Sequence, residues 1–337
     1  MGTRLWRRCC VHKFKFLLVV LVIALFIGEI GCFCLCFVTW RMPQASSDSL
    51  NLLFVSDSQI QGYRGDRPGI LGYITRFDSD WYLKKAFFMA LTSFFPDAVI
   101  HLGDVFDEGS IATAEEFQEY KARHDRIFHT PAGVYRIHIA GDNDIGGESS
   151  DIITEEEVAR FSANMGPLND VIKLKYTFQI VKINSVSLLR RRPFVSEWKI
   201  YNDTMAFIDD LPSKLDPDRI SILIGHVPLT HTSGSQVVPV IKLIEAVQPQ
   251  HAFSGHIHKR ATINHKIGTV TFTEHVVPTC SYRMGTEKMG FAVAVIGVDG
   301  SIVFSVLPLP KRYPFLMTYL GIICVFIVFA LQWHCNG

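Results

Sequence analysis

The stretch between Trp40 and Pro314 contains a single cysteine, Cys280. That excludes a disulfide framework for this part of the chain. An apolar core has to hold it instead, and about 260 residues are enough to build one. The other cysteines, Cys9, Cys10, Cys32, Cys34, Cys36, Cys324 and Cys335, lie in or beside two apolar runs near the ends. An excess of charge of one sign is lacking as well. Lys and Arg number 33 against 32 Asp and Glu, a net charge of +1, which leaves no electrostatic case for a nucleic-acid partner. Internal repeats and low-complexity tracts are absent, which excludes a repeat array.

Apolar sequence is abundant, 48% of all residues, and two runs account for the excess. Phe16 to Trp40 carries one charge, Glu29, in 25 residues. As a helix it is about 37 Å long, against a bilayer core of about 30 Å. Pro314 to Trp333 carries no charge in 20 residues and makes a helix of about 30 Å. Both read as membrane spans. A charged, lipid-facing Glu29 would cost about 3 kcal/mol, so it is expected to be protonated, to snorkel, or to face the second helix. No small-x-small cleavage site follows the first run, which favours an uncleaved anchor over a signal peptide. Arg4, Arg7, Arg8, Lys13 and Lys15 precede that run, and only Arg41 closely follows it. The positive-inside rule then places both termini in the cytosol and the middle of the chain on the lumenal side. Asn202-Asp203-Thr204 is a glycosylation acceptor consistent with that side. The expected order is a basic tail at 1–15, a span at 16–40, a linker at 41–50, a globular domain at 51–308, a span at 314–333 and a short tail at 334–337.

Within the domain, short apolar runs alternate with helical patterns. Asn51–Ser56 reads as a buried strand, Gly62–Ser79 as a loop, Trp81–Phe94 as a helix and Ala98–Leu102 as a second strand. Thr113 and Glu116 form a capping box on a helix reaching about Phe128, and Thr154 caps another that runs to Met165. Val134–Ala140 is a third strand, Tyr176–Leu188 a hairpin, Asp203–Leu211 a helix and Ile220–Ile224 a strand. Val237–Val247 is helical, His251–Phe253 is a strand, and the rest turns to β at Thr269–Thr273, Phe291–Val298 and Ile302–Leu307. Such alternation predicts an α/β domain whose ligands gather at the carboxyl ends of parallel strands.

Five successive strand-like runs end in Gly or Ser beside metal-type ligands. They are Asp57-x-Gln59, Gly103-Asp104-x-x-Asp107, Gly141-Asp142-Asn143-Asp144, Gly225-His226 and Gly255-His256-x-His258. Each alone is weak, because Gly-Asp and Gly-His are common turns. In this order, each at a strand end, they point to one crevice lined by carboxylates and imidazoles. Oxygen and imidazole donors without thiolate suit Mn, Fe or Zn. Two such ions about 3.5–4 Å apart, bridged by a carboxylate, suit phosphoester hydrolysis.

The order of these motifs resembles the calcineurin-like metallophosphoesterases, whose pattern is D-x-H, G-D-x-x-D, G-N-H-D, G-H and G-H-x-H. A narrower resemblance lies in Gly103-Asp104-Val105-Phe106-Asp107-Glu108-Gly109, Ile145-Gly146, Asn184-Ser185-Val186 and the two flanking apolar runs. These are similar to the eukaryotic membrane metallophosphoesterases that remove ethanolamine-phosphate from the second mannose of GPI anchors. The resemblance implies a four-layer α/β/β/α sandwich, two mixed sheets face to face, flanked by two transmembrane helices. It implies two divalent metal ions, manganese first with zinc or iron as alternatives, and a place in the ER or Golgi membrane. GPI-anchored proteins or their glycolipid are the implied partners. Carried over by position, Asp57 and His258 would bind one metal, His226 and His256 the other, and Asp104 would bridge both. Gln59 and Asp142 would fill the remaining ligand slots, and Asp107 would tie the loop behind Asp104.

Three positions depart from the family pattern. Gln59 stands in a histidine slot and offers a carbonyl oxygen, a weaker ligand than imidazole. Asp142 replaces an asparagine and keeps an oxygen donor. Asn143 replaces the histidine held near the leaving group. An amide donates a hydrogen bond but transfers no proton, and general acid–base groups contribute about 10²–10⁴ in rate. Asn143, and Asp144 one residue on, are the candidates for that catalytic position, with His101, His138 or His231 as alternative acids. With these departures the resemblance also admits an impaired relative that binds GPI-anchored cargo for export, and the metal motifs themselves admit a general phosphoesterase. Arg283 is expected either at substrate phosphate or in a salt bridge. The run Arg190-Arg191-Arg192-Pro193 is expected either against anionic lipid phosphate or in solvent.

Overall fold

In the computed structural model the described residues are 2–65, 69–148, 151–190, 194–231 and 237–335. The chain divides into two compact units, Met1–Trp40 with Pro308–Gly337, and Arg41–Leu307. The first unit opens with α1 (Gly2–Phe26), one turn of π-helix (Ile27–Gly31) and α2 (Cys32–Thr39). Helix therefore begins inside the basic stretch expected to be a tail. Arg and Lys are good helix formers, and no Pro or Gly interrupts the run after Gly2.

The second unit runs β1 (Leu50–Val55), α3 (Ile70–Phe94), β2 (Ala98–His101), α4 (Ala114–Ile127), β3 (Tyr135–His138), α5 (Asp142–Ile145) and α6 (Glu155–Met165). It continues with β4 (Asp170–Leu174), β5 (Phe178–Lys182), α7 (Ser185–Leu188), α8 (Trp198–Lys214), β6 (Ile220–Ile224), α9 (Val237–Val247) and β7 (His251–Ser254). It closes with β8 (Ala261–Ile267), β9 (Val270–Val276), β10 (Gly290–Ile296) and β11 (Ile302–Pro308). One sheet has the order β11-β10-β1-β2-β3, the other β4-β5-β6-β7-β9-β8. β1, β2 and β3 are parallel, as are β5, β6, β7 and β9. In each sheet the parallel strands therefore end at one edge.

The sheets share a core. Leu52, Phe54, Ile100 and Ile137 of the first meet Ile180, Ile222 and Phe253 of the second, and Phe54 stacks on Phe253 at 4.2 Å. Each such side chain contributes on the order of 2 kcal/mol by leaving water. Ile208 and Leu211 of α8, with Leu243 and Ile244 of α9, cover the outer face of the second sheet through Val181, Leu223 and Ala252. The mixed two-sheet α/β architecture expected from the sequence is present. Capping boxes at Thr113/Glu116 and Thr154/Glu157 start α4 and α6 as expected.

Three local readings change. α3 starts at Ile70, within the expected loop, because its first turns expose Ile70, Leu71, Tyr73 and Ile74. A helix without a buried stripe there leaves no period to read. Asp80 anchors the extension by accepting from Arg123 Nε and Nη2, both at 2.8 Å. The hairpin pairs β4 with β5, six residues upstream of the expected start, and Asn184 then caps the short α7. The Asn202-Asp203-Thr204 triplet lies inside α8 with Thr204 buried. A helix with its threonine inward does not present the surface loop that glycosylation uses, so the triplet gives no support for sidedness.

Lys182 in β5 is buried and lies opposite Asp170 of β4. Burial pushes its ammonium down to about 8, against the attraction of Asp170. An ammonium whose pKa falls on folding destabilises the fold fully below that value. The penalty shrinks as pH rises from about 8 towards about 10.4, where the unfolded chain also loses its proton. Lys182→Met is therefore expected to stabilise the protein at pH 7 by about 2–3 kcal/mol. Thermal melts at pH 7 and pH 10 check this, with most of the gain gone at the higher pH. An equal gain at both would refute the electrostatic account.

The chain ends in α10 (Tyr313–Cys335). Among the described residues, two helical stretches, His12–Thr39 and Tyr313–Gln332, are long and apolar enough to cross a membrane. Glu29, in the π turn, faces α10. Its carboxylate lies 2.7 Å from Arg312 Nη1 and accepts from the Tyr319 hydroxyl at 3.2 Å. Of the three fates expected for this acid, the structure selects pairing with the second helix.

Candidate functional site

The parallel strands β1, β2 and β3 each end in a sharp turn that throws a carboxylate over the edge of the first sheet. The loops after β6 and β7 bring histidines from the second sheet to the same place. Backbone bonds stitch these loops together: Asp57 N to Gly103 O at 3.2 Å, Gln59 N to Asp104 O at 2.9 Å and Gly255 N to His226 O at 2.8 Å. Asp57, Gln59, Asp104, His256 and His258 all have φ between +42° and +67°, five of the eight non-glycine residues with positive φ among the described residues. Such backbone costs on the order of 1 kcal/mol per residue and persists where the surroundings over-determine it, typically at functional sites. Gly103 has φ +92°, and a Cβ there would strike the His226 ring. A Cβ at Gly141 would strike Asp104.

The side chains form two groups able to hold an ion, Asp57 with Asp104 and His258, and Asp142 with His226 and His256. His226 Nε2 lies 2.9 Å from Asp142 Oδ1 and 3.5 Å from Asp104 Oδ1, so the two groups meet at His226 and Asp104. His256 Nδ1 lies 3.1 Å from Asp142 Oδ1, and His258 Nε2 lies 3.6 Å from Asp57 Oδ1. His226 Nδ1 donates to Leu102 O at 2.7 Å. This orients the ring so that Nε2 faces the carboxylates, donating to Asp142 in the absence of metal and available as a ligand once deprotonated, as a backbone carbonyl does behind many metal-bound histidines. Ser185 Oγ accepts from His226 N and Val227 N, both at 2.8 Å. Ser56 donates to Asp57 Oδ2, and Thr279 donates to Asp57 O at 2.7 Å.

The electrostatics are those of crowded buried acids. Burial, with Asp142, Asp57 and Asp144 nearby, pushes Asp104 well above the usual carboxylate range, against His226. Burial alone would lower His226, but Asp104, Asp142 and Asp57 outweigh it and hold the imidazole well above its ordinary value. Asp142 is buried too, yet hydrogen bonds from His226 and His256 hold it below the usual range. Three buried carboxylates facing three imidazoles, with no thiolate among them, make a donor set that suits two divalent cations.

The departures from the family pattern have definite places. Asn143 is the second residue of α5, and its backbone N and side-chain Nδ2 both donate to Asp104, each at 3.0 Å. Gln59 Nε2 donates to Asp104 Oδ2 at 3.2 Å. Both amides therefore rest on the central carboxylate. Asp144, placed by the sequence as a catalytic candidate, is fully buried. Its oxygens accept from the backbone N of Val105, Phe106 and Gly141 at 3.2, 2.9 and 2.9 Å, and burial lifts its carboxyl to about 6 despite those donors. It ties the β2 and β3 loops together and positions Asp104, a role that leaves no oxygen for a substrate. His101 and His138 are excluded as substitute acids, because they are buried under α4. The side chain of His231 lies outside the described residues.

Arg283 takes the salt-bridge alternative. Its Nη2 meets Asp107 Oδ2 at 2.8 Å, and its Nη1 donates to Gln59 O at 3.1 Å. Arg190 pairs with buried Glu197 at 3.0 Å, while 191–193 of the basic run lie outside the described residues. Sequence reasoning missed Ser56, Thr279 and Glu108. The last accepts from Arg64 N at 2.9 Å and from Gly65 N, and so holds the 62–65 loop. Nothing in a single Ser, Thr or Glu signals such a partner before the loops are folded together.

Comparison with known proteins agrees with this geometry. The model of the calcineurin-like phosphoesterase family matches residues 50–260. The chain is similar to a metallophosphoesterase 1 homolog of Drosophila melanogaster, 25% identical over 323 residues, covering 83% of this chain and 82% of that protein. It is similar to metallophosphoesterase 1 of Pongo abelii, 24% identical over 325 residues, covering 84% and 77%. In fold it is similar to a dimetal phosphatase from Danio rerio, with a TM-score of 0.51 and 12% identity, covering 78% of this chain and 98% of that one. All five motifs fall within the family match, and the chain belongs to the calcineurin-like phosphoesterase family, hydrolases that act on phosphoric esters.

Proposed function

We propose that this protein is a membrane-anchored phosphodiesterase that removes ethanolamine-phosphate from a mannose of GPI anchors. The observation that carries the reading is the meeting of two ligand groups at one buried carboxylate, Asp104. In this reading Asp57, Asp104 and His258 hold one cation, Asp142, His226 and His256 hold the other, and Asp104 is shared. Gln59 completes the first set once its amide turns its oxygen inward. Manganese is the proposed metal, with zinc or iron as alternatives. When bound, the two cations neutralise the phosphoryl oxygens and activate water. The protein's own part is positional. Left-handed strand ends fix the ligands, Ser185 and Leu102 O orient His226, and Asp144 holds the loop beneath Asp104.

The two apolar helices support anchoring in a membrane; the ER or Golgi is the proposed compartment, with the basic residues before the first helix keeping both termini cytosolic. A GPI glycolipid, or a protein carrying one, lies in the same leaflet that this topology presents to the domain. Similarity to proteins named metallophosphoesterase 1 supports a phosphoester substrate.

The test uses full-length protein in detergent with Mn²⁺, GPI glycolipid bearing ethanolamine-phosphate, and bis-p-nitrophenyl phosphate in parallel. Metal-dependent loss of ethanolamine-phosphate, read by mass spectrometry, is expected. Turnover of the chromogenic diester with the glycolipid untouched would replace this reading with a general phosphoesterase. Glycolipid binding without turnover of either would replace it with a cargo-binding role.

A further inference from the structure

His101 at the end of β2 and His138 at the end of β3 are register partners on adjacent parallel strands, so their side chains leave the same face. Ile100 and Ile137, next to them, enter the core between the sheets, which turns the histidines the other way, under α4. There His124 of α4 meets them. Ring centroids are 4.7 Å apart for His101 and His124, 4.7 Å for His101 and His138, and 5.1 Å for His124 and His138. Phe106 and Phe128 close the pocket, with the Phe128 ring 5.0 Å from His101 and 5.2 Å from His124. All three histidines are at most 9% exposed. Both ring nitrogens of His101, Nε2 of His124 and Nε2 of His138 have no hydrogen-bond partner. Each such buried orphan costs about 1–3 kcal/mol, so an apolar packing role explains this trio poorly. A phenylalanine in place of any one of them would remove that ring's share of the penalty.

We propose that His101, His124 and His138 form a third metal site, separate from the dinuclear centre, that takes one zinc-like divalent ion. One nitrogen from each ring lies within 4.8 Å of the other two. Zinc with bonds of about 2.0–2.1 Å draws such nitrogens to about 3.3 Å, so each ring has to move inward by roughly 1 Å. His124 Nδ1 lies 3.3 Å from Asp125 Oδ1. A carboxylate on one ring nitrogen leaves the other turned to the metal, the usual arrangement behind a zinc-bound histidine. Burial, with the neighbouring histidines, keeps His101 below its ordinary range, and burial does the same for His124 and His138, so all three stay in the neutral, ligating form. Arg136 and Lys182 place positive charge toward His138, and Asp125 places negative charge beside His124. The ion would pin α4 to the two strands whose following turns carry Asp104 and Asp142, and so stiffen the platform of the hydrolytic site.

The test isolates this site. Full-length Asp104→Asn/His226→Asn protein in detergent, with the dinuclear centre disabled, is equilibrated with Zn²⁺, desalted and analysed for metal. One zinc per chain is expected, with a melting temperature raised by roughly 5 °C. Adding His124→Phe should remove both effects while leaving the metal-free melt at least as high, since it also removes the unpartnered Nε2. X-ray absorption of the zinc-loaded double variant should show three imidazole nitrogens, a readout that holds even if His124→Phe fails to fold. No retained zinc, zinc retention unchanged by His124→Phe, or a carboxylate-dominated shell would each overturn the proposal.

Discussion

Asp104→Asn is expected to reduce phosphodiester turnover by about 10³-fold or more, while the metal-free fold stays at least as stable as the parent. The two effects come from the same location. Asp104 is buried, and His226 Nε2, Asn143 Nδ2 and Gln59 Nε2 all lie against its oxygens. It is the group at which the two ligand sets meet, so a neutral isostere removes the shared anion of both. Without metal the sign reverses. Burial and three neighbouring carboxylates disfavour the charge on Asp104, and an amide relieves that repulsion. Asn143 and Gln59 need only turn their amides to present oxygen to the new donor. Turnover with Mn²⁺, and melts with EDTA or Mn²⁺, separate these terms. The parent should gain thermal stability on adding Mn²⁺ and the variant should not. A variant with undiminished, still metal-dependent turnover would sink the assignment of Asp104 as the shared ligand.

Asn143→His is expected to raise turnover by about 10²-fold or more. Asn143 is half-buried at the start of α5 and spends its side-chain donor on Asp104 Oδ2 at 3.0 Å. It steadies the central carboxylate but has no proton to give a leaving oxygen. In the proposed phosphodiesterase, an imidazole at this position that lets go of Asp104 would be available to protonate the departing alkoxide. The gain should have its own pH signature. An acid with an ordinary imidazole pKa of about 6.5 loses its proton as pH rises, so the ratio of variant to parent rates should fall above about pH 7. Bis-p-nitrophenyl phosphate is a poor probe, because its leaving group needs little protonation, so an alkyl phosphodiester is the substrate of choice. No gain over a briskly active parent would mean that another group already protonates the leaving oxygen.

The ligand motifs were legible because each is local. An apolar run, a glycine or serine and a hydrogen-bonding side chain in four or five residues describe a strand end and its turn. The capping boxes at Thr113 and Thr154 were legible for the same reason. The first turns of α3 and the edge strand β8 were not. Ile70 to Ile74 show apolar residues to solvent, and β8 alternates only between half-buried and exposed positions, so neither carries a pattern set by burial. Asp144 was misplaced because sequence adjacency to Asn143 says nothing about direction. One turn of helix sends Asn143 to Asp104 and Asp144 under the loop.

The sequence by itself determined which residues are available as ligands, that two apolar helices flank an α/β domain, and that Asn143 stands in the third motif where the resemblance expects a histidine. The tertiary structure alone decided which ligands share a partner, that Asn143 and Gln59 both lean on Asp104, and that His101, His124 and His138 converge away from them. Those facts depend on strand order, register and the packing of α4. They are contacts between residues 14 to 199 positions apart, as in His124 to His138 and Asp57 to His256. No local preference encodes them, because only burial of the sheet faces against their helices and each other brings the segments together.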